Sequence, residues 1–239
     1  MTAPVVVVLS GGQDSTTCLF WARKQYPGAR VHAITFDYGQ RHLRELEAAK
    51  KVAQMAKVAS HRFVSIAGLL QSSSPLIDHK TPLENYTDPK QMEEVIGNRV
   101  ELTFVPYRNP MFMLIAANHA HALGAQALVT GVCAMDNANY PDCRPEFLRA
   151  LAQLFRTSLG TTFDPIQIEA PLLYLTKAES IHLAQKVGAM KALAYSHTCY
   201  EGEYPPCGKC HACVLRQDGF AKAEIDDPLL VRAREEKRL

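Results

Sequence analysis

No stretch of the 239 residues is apolar for long enough to span a bilayer: the run Val5 to Leu9 is five residues, and Met111 to Ala117 stops at Asn118, His119 and His121. VVVVL has neither a basic segment before it nor a small-residue cleavage site after it, so no signal peptide is expected. The expected location is cytoplasmic, with no membrane partner. An excess of one charge is missing too. Lys and Arg number 26 against 24 Asp and Glu, a net +2, which gives no electrostatic footprint for a nucleic-acid partner. Nor does any segment repeat, which excludes solenoids and propellers.

What the chain does carry is alternation. Val5 to Leu9, Val31 to Phe36, Arg62 to Ser65 and Ala127 to Thr130 read as strands, and Ser15 to Tyr26, Arg41 to Ala56 and Pro110 to Leu123 read as helices. That order predicts an α/β fold with a mostly parallel, doubly wound sheet, whose ligands bind at the carboxyl ends of its strands. One domain is expected over 1–195, interrupted at 67–102 by an insertion of weak periodicity (SSSP, KTP, TDPK) that would serve as a partly disordered lid or an oligomer contact. Thr176 to Gly188 is a further helix, and Thr176 with Glu179 has the spacing of a capping box. Lys177, a cation in the first turn, faces the positive end of that helix, a placement suited to an anionic ligand or else a solvated side chain.

The first strand runs straight into SGGQDS, Ser10 to Ser15. This hexad has no lysine, so it is not a Walker loop, and it has too few glycines for a dinucleotide fingerprint. The strand, turn and helix setting still suits an anion. Gly11 and Gly12 allow a tight turn, amides at the helix start can point at an oxyanion, and Ser10 and Ser15 can add hydroxyls. Asp14 would repel phosphate unless it binds magnesium or caps the helix.

Seven cysteines without an export signal argue for metal binding or catalysis rather than disulfides. Four fall within fifteen residues, Cys199, Cys207, Cys210 and Cys213, spaced C-x7-C-x2-C-x2-C, a ligand set for one closed, structural zinc. A redox pair at Cys207 and Cys210 is the alternative, but it leaves the other two unexplained. His211 reads as a surface residue of the turn, and Lys209 and Arg216 as cations offsetting the thiolate charge. Cys18, Cys133 and Cys143 read as small buried residues.

VLSGGQDST resembles the pyrophosphate loop of the PP-loop ATP pyrophosphatases, and the resemblance implies adenylation of a substrate oxygen. TFDYGQRH (35–42), TFVPYRN (103–109), TGVC (130–133), YPDCR (140–144), TKAE (176–179) and TCY followed by CGKCHAC together resemble one branch of that group, the QueC family of 7-cyano-7-deazaguanine synthases. The implied fold is that of the adenine-nucleotide α-hydrolases with a zinc knuckle over 196–239 packed on the same domain. The implied reaction makes a nitrile, preQ0, from 7-carboxy-7-deazaguanine, ATP and ammonia, through an acyl-adenylate and an amide.

By the same resemblance Leu9, Ser10, Gly11, Gly12, Gln13, Asp14, Ser15, Thr16, Thr17, Cys18 and Leu19 bind ATP and Mg2+, with Phe36 and Asp37 beside the adenosine. Asp14, Arg108 and Lys177 carry the catalytic charge. Tyr140, Asp142 and Asp136 meet the deazaguanine, and a homodimer is implied. No glutaminase domain is evident, so free ammonia is the implied nitrogen source. Two alternatives share parts of the pattern: a PP-loop tRNA-thiolation enzyme, which would need a reactive cysteine pair, and a QueC-like enzyme joining an activated deazaguanine to another acceptor. The chain departs from the family pattern at Tyr107, where glycine is usual, and over Ala134 to Asn139, where ETDFSG is replaced by AMDNAN.

Overall fold

The computed structural model describes residues 2–135 and 139–239. Five strands, β1 (Val5–Val8), β2 (Val31–Asp37), β3 (Ser60–Ser65), β4 (Ala127–Val129) and β5 (Gln167–Glu169), form one parallel sheet in the order β3-β2-β1-β4-β5. The helices are α1 (Gln13–Gln25), α2 (Arg44–Met55), α3 (Pro89–Ile96), α4 (Arg108–Ala122), α5 (Pro145–Leu159), α6 (Lys177–Lys186), α7 (Met190–Leu193), α8 (His211–Lys222) and α9 (Pro228–Glu235). This is the doubly wound α/β arrangement that the sequence predicts.

Successive side chains of β1 serve opposite faces of the sheet. Val5 and Val7 pack with Leu19 and Ala22 of α1 and Ala49 and Val52 of α2, whereas Val6 packs with Met113 and Ala116 of α4 and Phe155 of α5. Both faces are covered, so β1 is apolar without interruption. Each of these valines, fully buried, contributes roughly 1.5–3 kcal/mol of transfer free energy. The chain leaves β1 toward β2 on one side and β4 lies on the other, which puts the topological switch point at the carboxyl end of β1.

The insertion over 67–102 is packed, which corrects the expectation of partial disorder. Leu70, Leu76 and Leu83 join Val105 in one apolar cluster, and Tyr86, Met92 and Ile96 bury against Val214 of α8. Tyr86 also donates its amide to the Lys209 carbonyl at 2.7 Å, which fastens the segment to the cysteine-rich turn. That turn and α8 in turn share a core with the main domain, through Ile181 and Ala184 of α6 against Phe220 and Ala223. Thr176 and Glu179 form the capping box at the start of α6, each side chain accepting from the other's amide. Among the described residues, no helix is long and apolar enough to cross a membrane.

Candidate active site

At the switch point a cavity of about 280 Å³ opens, and Leu9, Ser10, Gly12, Gln13, Asp14, Ser15, Phe36, Arg108, Tyr140 and Lys177 all line it. The loop is held shut on itself. Ser15 Oγ accepts from the amides of Ser10 and Gly11, both at 3.2 Å, and Ser10 Oγ accepts from the Gly12 amide at 3.2 Å. The serine hydroxyls therefore occupy the amides expected to face an anion, and an incoming oxyanion would take over those donors.

Gly11 does not line the cavity. It sits at φ +93°, and a Cβ there would lie 2.3 Å from the Glu45 carbonyl oxygen, so glycine is what lets α2 approach the loop. Thr16, Thr17, Cys18 and Leu19 do not line the cavity either: they lie buried along α1. Burial pushes the Cys18 thiol well up, so it stays a protonated, inert group. Asp37 is likewise outside the cavity wall, with its carboxylate accepting from the Gly39 amide at 3.1 Å in a turn after β2.

Lys177 reaches back from α6 to α1, its ammonium 2.9 Å from Asp14 Oδ2. Gly219 of α8 makes room for it, since a Cβ there would come within 2.5 Å of Lys177 Cγ. Lys177 and Asp14 thus form a fixed pair of opposite charges at the mouth of the loop.

Across the cavity the wall is aromatic. Phe36 and Phe112 stack with centroids 4.3 Å apart, and Arg108 lies over the Tyr38 ring at 5.6 Å. Arg108 starts α4 and is enclosed by Tyr38, Tyr140 and Tyr200, whose proximity, with Asp142, raises its pKa despite the opposing effect of burial. Tyr140 donates its hydroxyl to Glu101 Oε2 at 3.2 Å and also meets Thr103, so a buried carboxylate from the insertion fixes the tyrosine. Asp142 lies in a short 3-10 turn (Pro141–Cys143), buried, with Oδ2 lacking a hydrogen-bond partner among the described residues. Burial lifts its carboxyl above the usual range, and Arg108 acts in the opposite direction. Asp142 is not a wall residue of the cavity, and Asp136 lies outside the described residues.

Residues not singled out from the sequence also line the cavity: Tyr38, His42, Glu45, Asn109, Phe112, Gly131, His197, Thr198 and Tyr200 among them. Tyr38 and His42 stand in TFDYGQRH, Asn109 in TFVPYRN, Gly131 in TGVC, and Thr198 and Tyr200 in TCY, segments identified for their resemblance and not searched residue by residue. Gly131, just past β4, lies so close to α1 that a Cβ would sit 3.1 Å from the Ser15 amide nitrogen. His211 is a correction: it is buried in the first turn of α8 and faces the cavity, not solvent. Arg216 is a second correction, because Asp227 neutralises it through a two-pronged pair at 2.6 and 2.8 Å. It is not available to offset thiolate charge.

The four cysteine sulfurs lie within 4.8 Å of one another, with Cys207 Sγ 3.8 Å from Cys213 Sγ. A tetrahedral ion with bonds of ~2.3 Å to sulfur needs sulfurs about 3.8 Å apart, so the set fits one thiophilic metal. Backbone amides donate to two of the sulfurs, Cys207 N to Cys199 and Cys210 N to Cys207, each at 3.4 Å. That is the support a thiolate cluster needs.

Comparison with known proteins agrees with the geometry. The family described as "Queuosine biosynthesis protein QueC" matches residues 4–224. The 7-cyano-7-deazaguanine synthase of Chromobacterium violaceum is 45% identical over 236 residues, covering 97% of this chain and 94% of that one. The protein of the same name from Laribacter hongkongensis is 46% identical, covering 95% and 94%. The chain trace is also similar to NMN synthetase from Francisella tularensis, at 14% identity and a TM-score of 0.48, over 100% of this chain and 87% of that one.

Proposed function

The chain belongs to the QueC family of queuosine biosynthesis proteins, and on that premise we propose that it is an ATP-dependent ligase that forms C–N bonds, converting 7-carboxy-7-deazaguanine and ammonia to 7-cyano-7-deazaguanine. The observation that carries this reading is the joining, in one cavity, of a phosphate-type loop with a fixed Lys177–Asp14 pair to an aromatic wall holding Arg108. One side suits a nucleotide triphosphate and the other a flat, anionic bicycle.

The substrate carboxylate attacks the α phosphorus of ATP, and pyrophosphate leaves into the loop. Ser10, Gly12, Gln13 and Ser15 cradle the departing charge, while Lys177 and Arg108 stabilise it with fixed positive charge. Mg2+ would be held at Asp14, where a hard cation finds its carboxylate ligand and neutralises phosphate charge. Ammonia then displaces AMP to give the amide. A second activation of the amide oxygen permits its loss and leaves the nitrile. No side chain need become a covalent nucleophile, because positioning and fixed charge supply the acceleration.

Phe36 packs by the adenosine and Tyr140 stacks on the deazaguanine, and by resemblance alone Asp142 and Asp136 are assigned to the N–H edge of the same substrate. The Cys199, Cys207, Cys210 and Cys213 site holds one structural Zn2+, a closed centre that leaves no position for substrate. The protein acts as a cytoplasmic homodimer, with 1–195 as its catalytic domain, 67–102 as a lid or subunit contact, and 196–239 as the zinc-bearing region.

Incubation with 7-carboxy-7-deazaguanine, ATP, Mg2+ and ammonium, followed by mass spectrometry, tests the assignment. The expected product is the nitrile. Accumulation of the amide alone, or of a deazaguanine joined to some other acceptor, would overturn it.

A further inference from the structure

One polar niche of the cavity is not used by that scheme. It lies where the chain turns from β2 into α2 and meets the 197–200 segment, and its centre is His42. The His42 ring is 3% exposed, and its Nε2 lies 3.0 Å from Glu45 Oε2. Glu45 cannot swing away, because Gln40 donates Nε2 to its other oxygen at 3.1 Å, and Gln40 is itself fixed by accepting the Tyr38 amide at 2.9 Å. A carboxylate only accepts, so Nε2 carries the proton that faces Glu45. Nδ1 is buried and has no hydrogen-bond partner among the described residues, and the same is true of Thr198 Oγ1 on the facing segment. An imidazole nitrogen, a hydroxyl that can accept and a buried carboxylate suit a small cation with N–H donors.

The surrounding charges favour that choice. Lys177 is paired with Asp14, Arg108 lies over the Tyr38 ring, and Arg41 is directed to Glu201, 3.9 Å away. His197 faces the niche from the 197–200 segment, with its Nε2 3.2 Å from the Cys199 carbonyl oxygen. The Tyr200 ring lies 5.4 Å from that of His42, and Asp14 lines the same cavity.

We propose that His42, oriented by Glu45 and Gln40, binds ammonium and accepts its proton, releasing ammonia for attack on the activated carboxylate. This rests on the ligase reading above. One N–H bond of ammonium breaks and an Nδ1–H bond forms, giving an imidazolium stabilised by Glu45. The freed nitrogen lone pair forms the C–N bond, the C–O bond to AMP breaks with its electron pair leaving on AMP, and the proton lost from the new amide goes to water. Glu45 and Gln40 are positioning residues in this step.

The test compares two nucleophiles in wild type and His42→Asn: ammonium, which must lose a proton, and hydroxylamine, which is already unprotonated at neutral pH and gives a hydroxamate. The variant's kcat/KM for ammonium at neutral pH is expected to fall about 10²-fold, the scale of a lost general base. It should recover with rising pH in proportion to the free ammonia in solution, while kcat/KM for hydroxylamine stays near wild type. Equal loss with both nucleophiles would assign His42 a merely structural role and overturn the proposal, as would no loss with ammonium. If asparagine at 42 prevents folding, Glu45→Gln should show the same selective loss, smaller in size, and equal rates with both nucleophiles would again overturn it. ATP–pyrophosphate exchange dependent on 7-carboxy-7-deazaguanine is measured in parallel on wild type. Its absence would sink the ligase reading itself, whereas exchange with unchanged ammonium kinetics in the variant sinks only the role of His42.

Discussion

Lys177 Nζ and Asp14 Oδ2 meet at 2.9 Å although they are 163 positions apart, which joins the first turn of α6 to the first turn of α1. The helix macrodipole disfavours a lysine at that place, and the pairing with Asp14 offsets this cost. The lysine is thereby held where phosphate oxygens would pass.

Lys177→Met should therefore lower substrate-dependent ATP–pyrophosphate exchange by about 10²–10³-fold, the scale of a lost transition-state charge contact. Gly219→Ala tests the same placement from outside the cavity, since the added Cβ would come 2.5 Å from Lys177 Cγ and 3.1 Å from Ile181 Cδ1. A displaced lysine should reduce exchange about 10²-fold in a folded protein. Unchanged exchange in Gly219→Ala would show that the lysine adapts and that its position is not what matters.

Tyr107 lies at φ +61° immediately before α4 and is 77% exposed, so it bears left-handed strain with little packing in return. This accounts for the glycine usual at that place in the resembling family. Tyr107→Gly should stabilise the protein by roughly 0.5–1 kcal/mol, the left-handed penalty less the extra entropy that glycine gains on unfolding. Urea denaturation reads this as a higher midpoint at unchanged slope, and a lower midpoint would refute it.

The β1 strand, its loop and α1 were legible because period and punctuation are local properties. VVVV between buried faces, two glycines and a polar helix start leave little choice. The cysteine tetrad was legible for the same reason, being a matter of spacing. Ala127 to Thr130 was legible as the strand that is β4, but the three-residue β5 is shorter than any periodicity can register and carries Gln and Glu. The wall of the cavity comes from segments near 42, 108, 131, 140 and 198, whose meeting is a property of the sheet order and not of any one segment. His211 and Arg216 were misread because their surroundings depend on where α8 starts and on Asp227 before α9, a contact that no local pattern encodes.

His61 makes part of the stability depend on acid. Burial, and secondarily the nearby Lys50 cation, lowers its pKa to about 4, and its Nε2 lies 2.8 Å from Thr35 Oγ1. A histidine that binds its proton less tightly when folded favours the native state above its unfolded pKa of about 6.5. That contribution is lost as pH falls from there toward about 4. His61→Gln should flatten the fall in urea midpoint across this window, and an unaltered slope would remove His61 from the acid response.

The cysteine cluster makes a separate prediction. Three of its four cysteines are buried, and the amide of Tyr86 binds the carbonyl of Lys209 within the turn, so a metal bound by the four sulfurs would hold together the turn, the insertion and α8. Stripping the metal with a strong chelator should lower Tm and release one zinc ion per chain, measured by a colorimetric dye. Cys199→Ser should abolish retention of that ion. A protein whose Tm ignores the chelator would show that the fold does not depend on the site.

Arg216 and Asp227 form a buried pair whose partners differ in what they leave behind. Asp227 takes two hydrogen bonds from the guanidinium and caps α9 by accepting the Leu229 amide at 2.9 Å, and Arg216 also donates to Ser196 Oγ and the Leu193 carbonyl. Asp227→Ala strands a buried cation and removes the cap, so it should destabilise by about 3–5 kcal/mol. Replacing both partners, Arg216→Met with Asp227→Leu, removes the stranded charge along with the pair and should cost less than the single change. Urea titration of the three proteins decides the matter. If the double variant is the least stable, the pair contributes through its own attraction and not through the penalty of leaving one charge buried alone.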